Sequence, residues 1–404
     1  MRNNSGFYLS QGFDVLSNNL CKQGFLFVLA FFSTHENHSL VLANVALTVY
    51  ILPFLFLSYF AGTHAEPRNK RRLIRQLKLL DLLLVSLVAL SYAFEAVWLT
   101  LLMIALLGCK TAIMTPVKFA YMSERYQGNA LLRSNALMQT MSLTCMLIAI
   151  TSAGFILEQM HHPLEFGYLL IVISVLGLIS SGLMQNSQPR HIQHSEPMRV
   201  RKLLSEMHEY GLWPNIILVA WFWFISALFV SQFINFIKLE LAGSPAIAAT
   251  ALAIVVAGML SGAVILEWFK PRKLGFVILS GMSLSALTSG IALYAPDDQG
   301  VHHISAFFTS GLGLSALLFA TGVFATSYIA PAYTRLQHAS PSDKVARIMG
   351  ISSIVNALLI CMSTAFAYLI LELLELGLQL YFFAIGLINL LFFATLAWWL
   401  RKTA

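Results

Sequence analysis

Charge is what this chain has little of. Only 11% of its 404 residues are Asp, Glu, Lys or Arg, whereas a soluble globular domain carries about a quarter. A water-exposed surface with so few charges would be insoluble, which excludes most soluble enzymes. Cysteine is also scarce: Cys21, Cys109, Cys145 and Cys361 are all there is, none in C-x-x-C spacing, and neither a disulfide scaffold nor a zinc site is expected. A phosphate-binding loop, a dinucleotide fingerprint and a metal-ligand cluster are missing, so no cofactor, metal or nucleic-acid partner is implied. A glycine period and low-complexity runs are absent too. With 29 Phe, 13 Tyr and 7 Trp, disorder and collagen are excluded. What is there instead is apolar surface, 58% of the residues, and the solvent it demands is lipid.

A bilayer core needs about 20 helical residues to cross. Twelve apolar runs reach that length, near 9–32, 39–61, 73–94, 97–121, 131–157, 164–185, 212–237, 246–269, 274–294, 304–334, 346–371 and 377–400. The fold class expected is an all-α integral membrane protein, with twelve transmembrane helices in two six-helix bundles. Residues 186–211 form the only long polar connector, so the bundles are 1–185 and 212–404 with a cytoplasmic linker between them. Met198, Val200, Leu203, Leu204 and Met207 within it have helical spacing; an interfacial helix and a solvated linker with a turn or two of helix both fit. The first run is too long for a signal-peptide core and lacks a small-residue cleavage site, so it reads as a retained helix. With both termini in the cytoplasm, all 25 Lys and Arg fall on the inner side except Lys238, outside, and Lys22, Lys110 and Lys118, within helices. The positive-inside rule therefore sets the orientation. His35, His38, His161, His162, His302 and His303 fall in outer loops and read as solvated.

The two halves repeat one another. The loop after helix two reads Gly62-Thr-His-Ala-Glu66-Pro-Arg-Asn69-Lys70-Arg71; the loop after helix eight has Gly262, Glu267, Arg272 and Lys273 in the same order. Helix four ends with Pro116 and is followed by Arg133, helix ten with Pro331 followed by Arg347. Duplication explains both, as in transporters built from parallel repeats. The first loop resembles the G-x-x-x-D-x-x-G-R-K signature of the major facilitator superfamily, with Glu66 as the acid, Lys70 and Arg71 as the basic pair, and Asn69 at the glycine. Asn tolerates the left-handed backbone that a glycine supplies. Gly62, Glu66, Asn69, Lys70 and Arg71 are thus expected to form a conformational latch.

Charges inside a bilayer are the default functional candidates. Asp14, Asn18 and Lys22 follow at spacings of four with Asn19 beside them, giving helix one a polar face. Lys110 lies near the middle of helix four and Lys118 near its end; Asn135 and Gln139 open helix five; Asn356 lies mid-membrane on helix eleven. Asp81 is placed to pair with Lys78 one turn earlier. The deep charges therefore read as lysines and the acids as lying toward the cytoplasmic ends. That pattern suits an anionic headgroup such as a phosphate better than a proton relay. His338 and Asp343 have the H-x-x-x-x-D spacing of glycerolipid acyltransferases, but in a short loop with no soluble domain around it; catalysis is not expected.

Leu16-Ser-Asn18-Asn19-Leu-Cys-Lys22, Thr115-Pro116-Val-Lys118-Phe-Ala-Tyr, Asn135-Ala-Leu-Met-Gln139, Trp221-Phe-Trp223-Phe and Ile329-Ala-Pro331-Ala-Tyr-Thr-Arg-Leu-Gln337 together resemble the bacterial lysophospholipid transporter family and the permease domains fused to acyltransferase and acyl-carrier-protein synthetase modules. The resemblance implies flipping of lysophospholipids, chiefly lysophosphatidylethanolamine, from the outer to the inner leaflet of the bacterial inner membrane, where a cytoplasmic acyltransferase-synthetase re-acylates them. It implies a headgroup role for Lys118 and, on helix one, for Asn19 and Lys22. Two positions depart from the family: Asn18 stands where an acid is common and Gln139 where a Glu is frequent. Both changes remove negative charge and favour a more anionic lysolipid or a diverged substrate. A permease for another amphiphilic or anionic solute or drug is the alternative, because one fold carries many substrates.

Overall fold

A computed structural model describes residues 5–31, 39–94, 96–159, 163–186, 205, 207–241, 245–269, 273–293 and 312–403. Twelve long helices make up almost all of the described residues: α1 Ser5–Phe31, α2 Ser39–Ala65, α3 Lys70–Ala93, α4 Val97–Arg125, α5 Asn129–Gln159 and α6 Pro163–Gly182, then α7 Trp213–Leu239, α8 Pro245–Phe269, α9 Leu274–Ala292, α10 Leu312–Ala339, α11 Val345–Tyr368 and α12 Leu378–Thr403. At a rise of about 1.5 Å per residue, each can cross a hydrocarbon core. Eight are long and apolar enough to do so by length and composition alone.

Pro116 and Pro331 do not end their helices as expected; they lie inside α4 and α10, which continue to Arg125 and Ala339. A proline in a membrane helix is tolerated where neighbouring helices shield the freed carbonyl, and Pro116 is buried. Of the apolar run in the linker only Met207 is described, and it is buried. Met198, Val200, Leu203, Leu204 and the six loop histidines lie outside the described residues.

The chain forms two compact units, Met1–Tyr126 with Met141–Gly211 and Gln337–Ala357, and Gln127–Thr140 with Leu212–Leu336 and Leu358–Ala404. In the first, Leu20, Phe25, Val88, Tyr92, Ile104 and Phe166 build a core shared by α1, α3, α4 and α6. The Tyr92 hydroxyl donates to the Cys21 carbonyl at 2.8 Å, so an aromatic body packs apolar while its polar tip stays bonded. The second unit is held by aromatic residues. Trp221 on α7 stacks on Phe392 of α12 at 4.2 Å and donates to Asn389, whose amide donates to the Gly281 carbonyl on α9.

Candidate functional site

Helical spacing puts Asp14, Asn18 and Lys22 along one side of α1, and the first two face α3 and α4. Asp14 Oδ1 accepts Lys78 Nζ of α3 at 2.6 Å and Lys110 Nζ of α4 at 2.9 Å. Lys110 also reaches Asp81 Oδ1 of α3 at 2.7 Å. Ser174 of α6 donates to Asp81 Oδ2 at 2.9 Å, and the Asn18 amide donates to Asp14 Oδ2 at 3.2 Å. Four helices thus meet on two ammonium and two carboxylate groups, all with at most 4% of their surface exposed. The quartet is formally neutral, the condition under which buried charges are tolerated.

This arrangement corrects two expectations. Asp81 does not pair with Lys78: both lysines are drawn to Asp14, and Asp81 takes Lys110. The buried acids therefore lie at the depth of Lys110 and not nearer the helix ends. They also engage Lys110, whose Nζ is 3.3 Å from Asn18 Oδ1 as well; its charge serves the quartet and is not available to a ligand. An i, i+3 pairing was the natural inference within α3, but only packing brings α1 between α3 and α4.

Two lysines remain outside the quartet. Lys22, two turns beyond Asp14, holds its ammonium 4.2 Å from the centroid of the Tyr50 ring on α2. Lys118, two turns past Lys110 in the opposite direction, lies 5.5 Å from the Phe119 ring. Both are half-buried, and among the described residues neither has a carboxylate partner. Tyr50 and Thr111 were not singled out from sequence: the Tyr50 hydroxyl donates to Thr111 Oγ1 at 3.3 Å, and the Asn18 amide reaches the same oxygen at 3.5 Å. A tyrosine in an apolar run gives no signal by itself. Asn19 spends its amide on the Val15 carbonyl of its own helix at 2.8 Å. On α11, Asn356 presents a buried Oδ1 that lacks a hydrogen-bond partner among the described residues, as does Ser352 Oγ one turn away. In the second unit Asn135 donates to Thr334 Oγ1 of α10 at 3.0 Å, and Gln139 is buried one turn further along α5.

The loop between α2 and α3 carries a second constellation. Gly62 lets α2 approach α11 so closely that a Cβ would collide with the Ala346 carbonyl. Just beyond it, Glu66 accepts the Arg347 backbone N–H at 3.1 Å and ion-pairs with the Arg347 guanidinium, an acid placed at a helix N-terminus. Lys70 donates to the Glu66 carbonyl at 2.7 Å and pairs with Glu124 of α4 at 2.5 Å. Arg71 and Arg75 donate to the Gly182 carbonyl at the end of α6, cations at a helix C-terminus. Burial pushes the Glu66 carboxyl up to about 7, against the opposing pull of Arg347 and Lys70 and with a further push from Asp343. Asn69 is not left-handed: at φ −69, ψ 109 it N-caps α3, its side chain accepting from Arg72 N. An Asn can supply the cap oxygen that a glycine lacks.

The other half repeats the pairing with less burial. Glu267 at the end of α8 meets Arg133 at the start of α5 at 2.9 Å, with both side chains nearly half exposed. The acid after helix two finds the arginine of helix eleven; the acid after helix eight finds the arginine of helix five. The sequence profile of the Major Facilitator Superfamily matches residues 9–321. The chain belongs to the major facilitator superfamily. It is therefore a multi-pass membrane transporter, in a superfamily whose members are typically carriers. Solved structures with the same fold include the E. coli fucose:proton symporter, at 13% identity and a TM-score of 0.70. Others are the human organic anion transporter MFSD10 (TETRAN), at 12% and 0.66, and a bacterial homologue of the iron transporter ferroportin in an outward-facing state, at 14% and 0.64. Each alignment covers 96% of this chain and 97% of the other. Such identities show a common fold and nothing about substrate. No curated protein matches the chain.

Proposed function

We propose that this facilitator flips lysophospholipids from the outer to the inner leaflet of a bacterial inner membrane, with both termini cytoplasmic. Residues 1–185 and 212–404 are the bundles that alternate access. The observation that carries the reading is the distribution of charge along α1 and α4: Lys78 and Lys110 are neutralised by Asp14 and Asp81, whereas among the described residues Lys22 and Lys118 have no carboxylate. Two unneutralised ammonium groups on either side of a neutral quartet suit a phosphate that moves between them. Asn18 and Asn356, in the first unit with both lysines, are the amide partners assigned to the headgroup, while the acyl chain stays with membrane lipid. The glycine-to-acid loop acts as the latch that holds one state. The two carboxylates of the quartet, Asp14 and Asp81, are engaged by lysines, and an ammonium beside a carboxylate opposes its protonation. Net flow then follows consumption of the product by an acyltransferase/acyl-ACP synthetase on the inner face, without an ion gradient.

Reconstituted protein is expected to take up labelled lysophosphatidylethanolamine and lysophosphatidylglycerol in preference to a neutral amphiphile, and to keep doing so after proton and sodium gradients are dissipated. Lys118→Ala should lower lysolipid uptake about tenfold or more, the size of a lost charge-assisted hydrogen bond. Equal uptake of the neutral amphiphile would favour the alternative of a general amphiphile or drug permease.

A further inference from the structure

Lys22 is half-buried in a membrane helix, and its ammonium rests on an aromatic face where a carboxylate would be expected. The Tyr50 ring lies 4.2 Å from Nζ, within the range of a cation–π contact. The ring is held from its far end, because its hydroxyl donates to Thr111 Oγ1, which in turn donates to the Leu107 carbonyl of α4. The nearby carboxylates are occupied. Asp14 already accepts two lysines and the Asn18 amide, and Asp81 accepts Lys110 and Ser174. Asn18 beside them is an amide and cannot neutralise a cation. Among the described residues, a zwitterionic headgroup entering here would find a cation for its phosphate at Lys22 and no free anion for its ammonium.

The ring supplies what is missing. A phosphate binds an ammonium more strongly than an aromatic face does, so a phosphate that engages Lys22 draws it off Tyr50. That leaves an oriented π-face beside the bound phosphate. We infer that Tyr50 is the ammonium subsite of the transporter: it holds Lys22 in the resting state and receives the primary ammonium of a zwitterionic headgroup once Lys22 has turned to the phosphate. The exchange keeps one cation on the ring throughout and moves no net charge into the quartet. The inference rests on the lysophospholipid reading above and adds to it the means by which a site without a free acid accepts an aminated headgroup.

The test compares uptake of labelled lysophosphatidylethanolamine with that of labelled lysophosphatidylglycerol, which has the phosphate but no ammonium, in the same proteoliposomes. The ratio of the two does not depend on how much protein has folded. Tyr50→Leu is expected to lower the ethanolamine-to-glycerol ratio about fivefold, whereas Tyr50→Phe, which keeps the π-face and loses only the hydroxyl, leaves it within about twofold. If Tyr50→Leu does not accumulate, Tyr50→Trp, with the strongest π-face, is expected to raise the ratio. An unchanged ratio in Tyr50→Leu or Tyr50→Trp, or an equal fall in Tyr50→Phe and Tyr50→Leu, overturns the assignment while leaving lysolipid transport standing. Wild-type protein that carries neither lipid overturns both.

Discussion

Glu66 shows how little a residue type says until its surroundings are known. From sequence it is the acid of a loop signature; in the structure it is 3% exposed, bonded to the backbone and guanidinium of Arg347, with its carboxyl raised to about 7. The sign of the resulting pH dependence is set by linkage. A carboxyl that titrates near 7 with the latch engaged, and in the ordinary carboxylate range once hydrated, binds its proton more tightly in the engaged state. Falling pH therefore favours engagement between about 7 and that range, and above about 7 the engaged state carries an ionised, largely desolvated carboxylate. Exchange is expected to be slower at pH 6 than at pH 8 on the latch side, measured as lysolipid uptake into proteoliposomes clamped at each pH. Glu66→Gln should flatten the profile; a wild-type profile in that variant would remove Glu66 as the titrating group. Lys110 carries the same lesson in reverse, since an isolated lysine in an apolar run is what a phosphate site looks like until two carboxylates arrive from other helices.

At the scale of elements, α3 does more than span. Its first turns carry the cap Asn69, the latch residue Lys70, and Arg71 and Arg75 on the end of α6; its middle carries Lys78 and Asp81 of the quartet. The period that places one polar residue per turn toward its neighbours was readable, and the partners were not, because helical spacing sets a direction and leaves open which helix lies there. Asn69 illustrates the point: the superfamily glycine suggests a left-handed residue, and the structure uses the Asn oxygen as a cap. Asn69→Ala is expected to destabilise the protein by about 1 kcal/mol and Asn69→Gly by only a few tenths, read as a difference in thermal unfolding in detergent. No loss in either variant would mean that the cap bond contributes nothing. The prolines inside α4 and α10 mark the other limit, for in lipid a helix broken by proline has nowhere better to place its backbone groups and so continues.

For the whole molecule, the duplication seen in the loops reappears as two crossed acid–arginine pairs, Glu66 with Arg347 and Glu267 with Arg133. Their symmetry is not energetic. A half-exposed pair contributes about 0–1 kcal/mol, whereas removing one partner of a buried pair costs about 3–5 kcal/mol because the other charge is left desolvated. Glu267→Ala is therefore expected to leave transport within about twofold of wild type, and Arg347→Ala to change it by tenfold or more. Comparable effects of the two, in the same uptake assay, would show that the halves share the latch equally.

Scarcity of charge, twelve apolar runs and a repeated loop by themselves determined that the protein is an all-helical, multi-pass membrane protein. The reason is that a bilayer leaves few solutions to burying every backbone polar group, and those solutions are written in length and hydropathy. Which charges are spent and which are free was decided only by tertiary structure. The partners of Asp14 lie 64 and 96 residues away, and a distance along the chain carries no information about a contact made by packing three helices around one carboxylate.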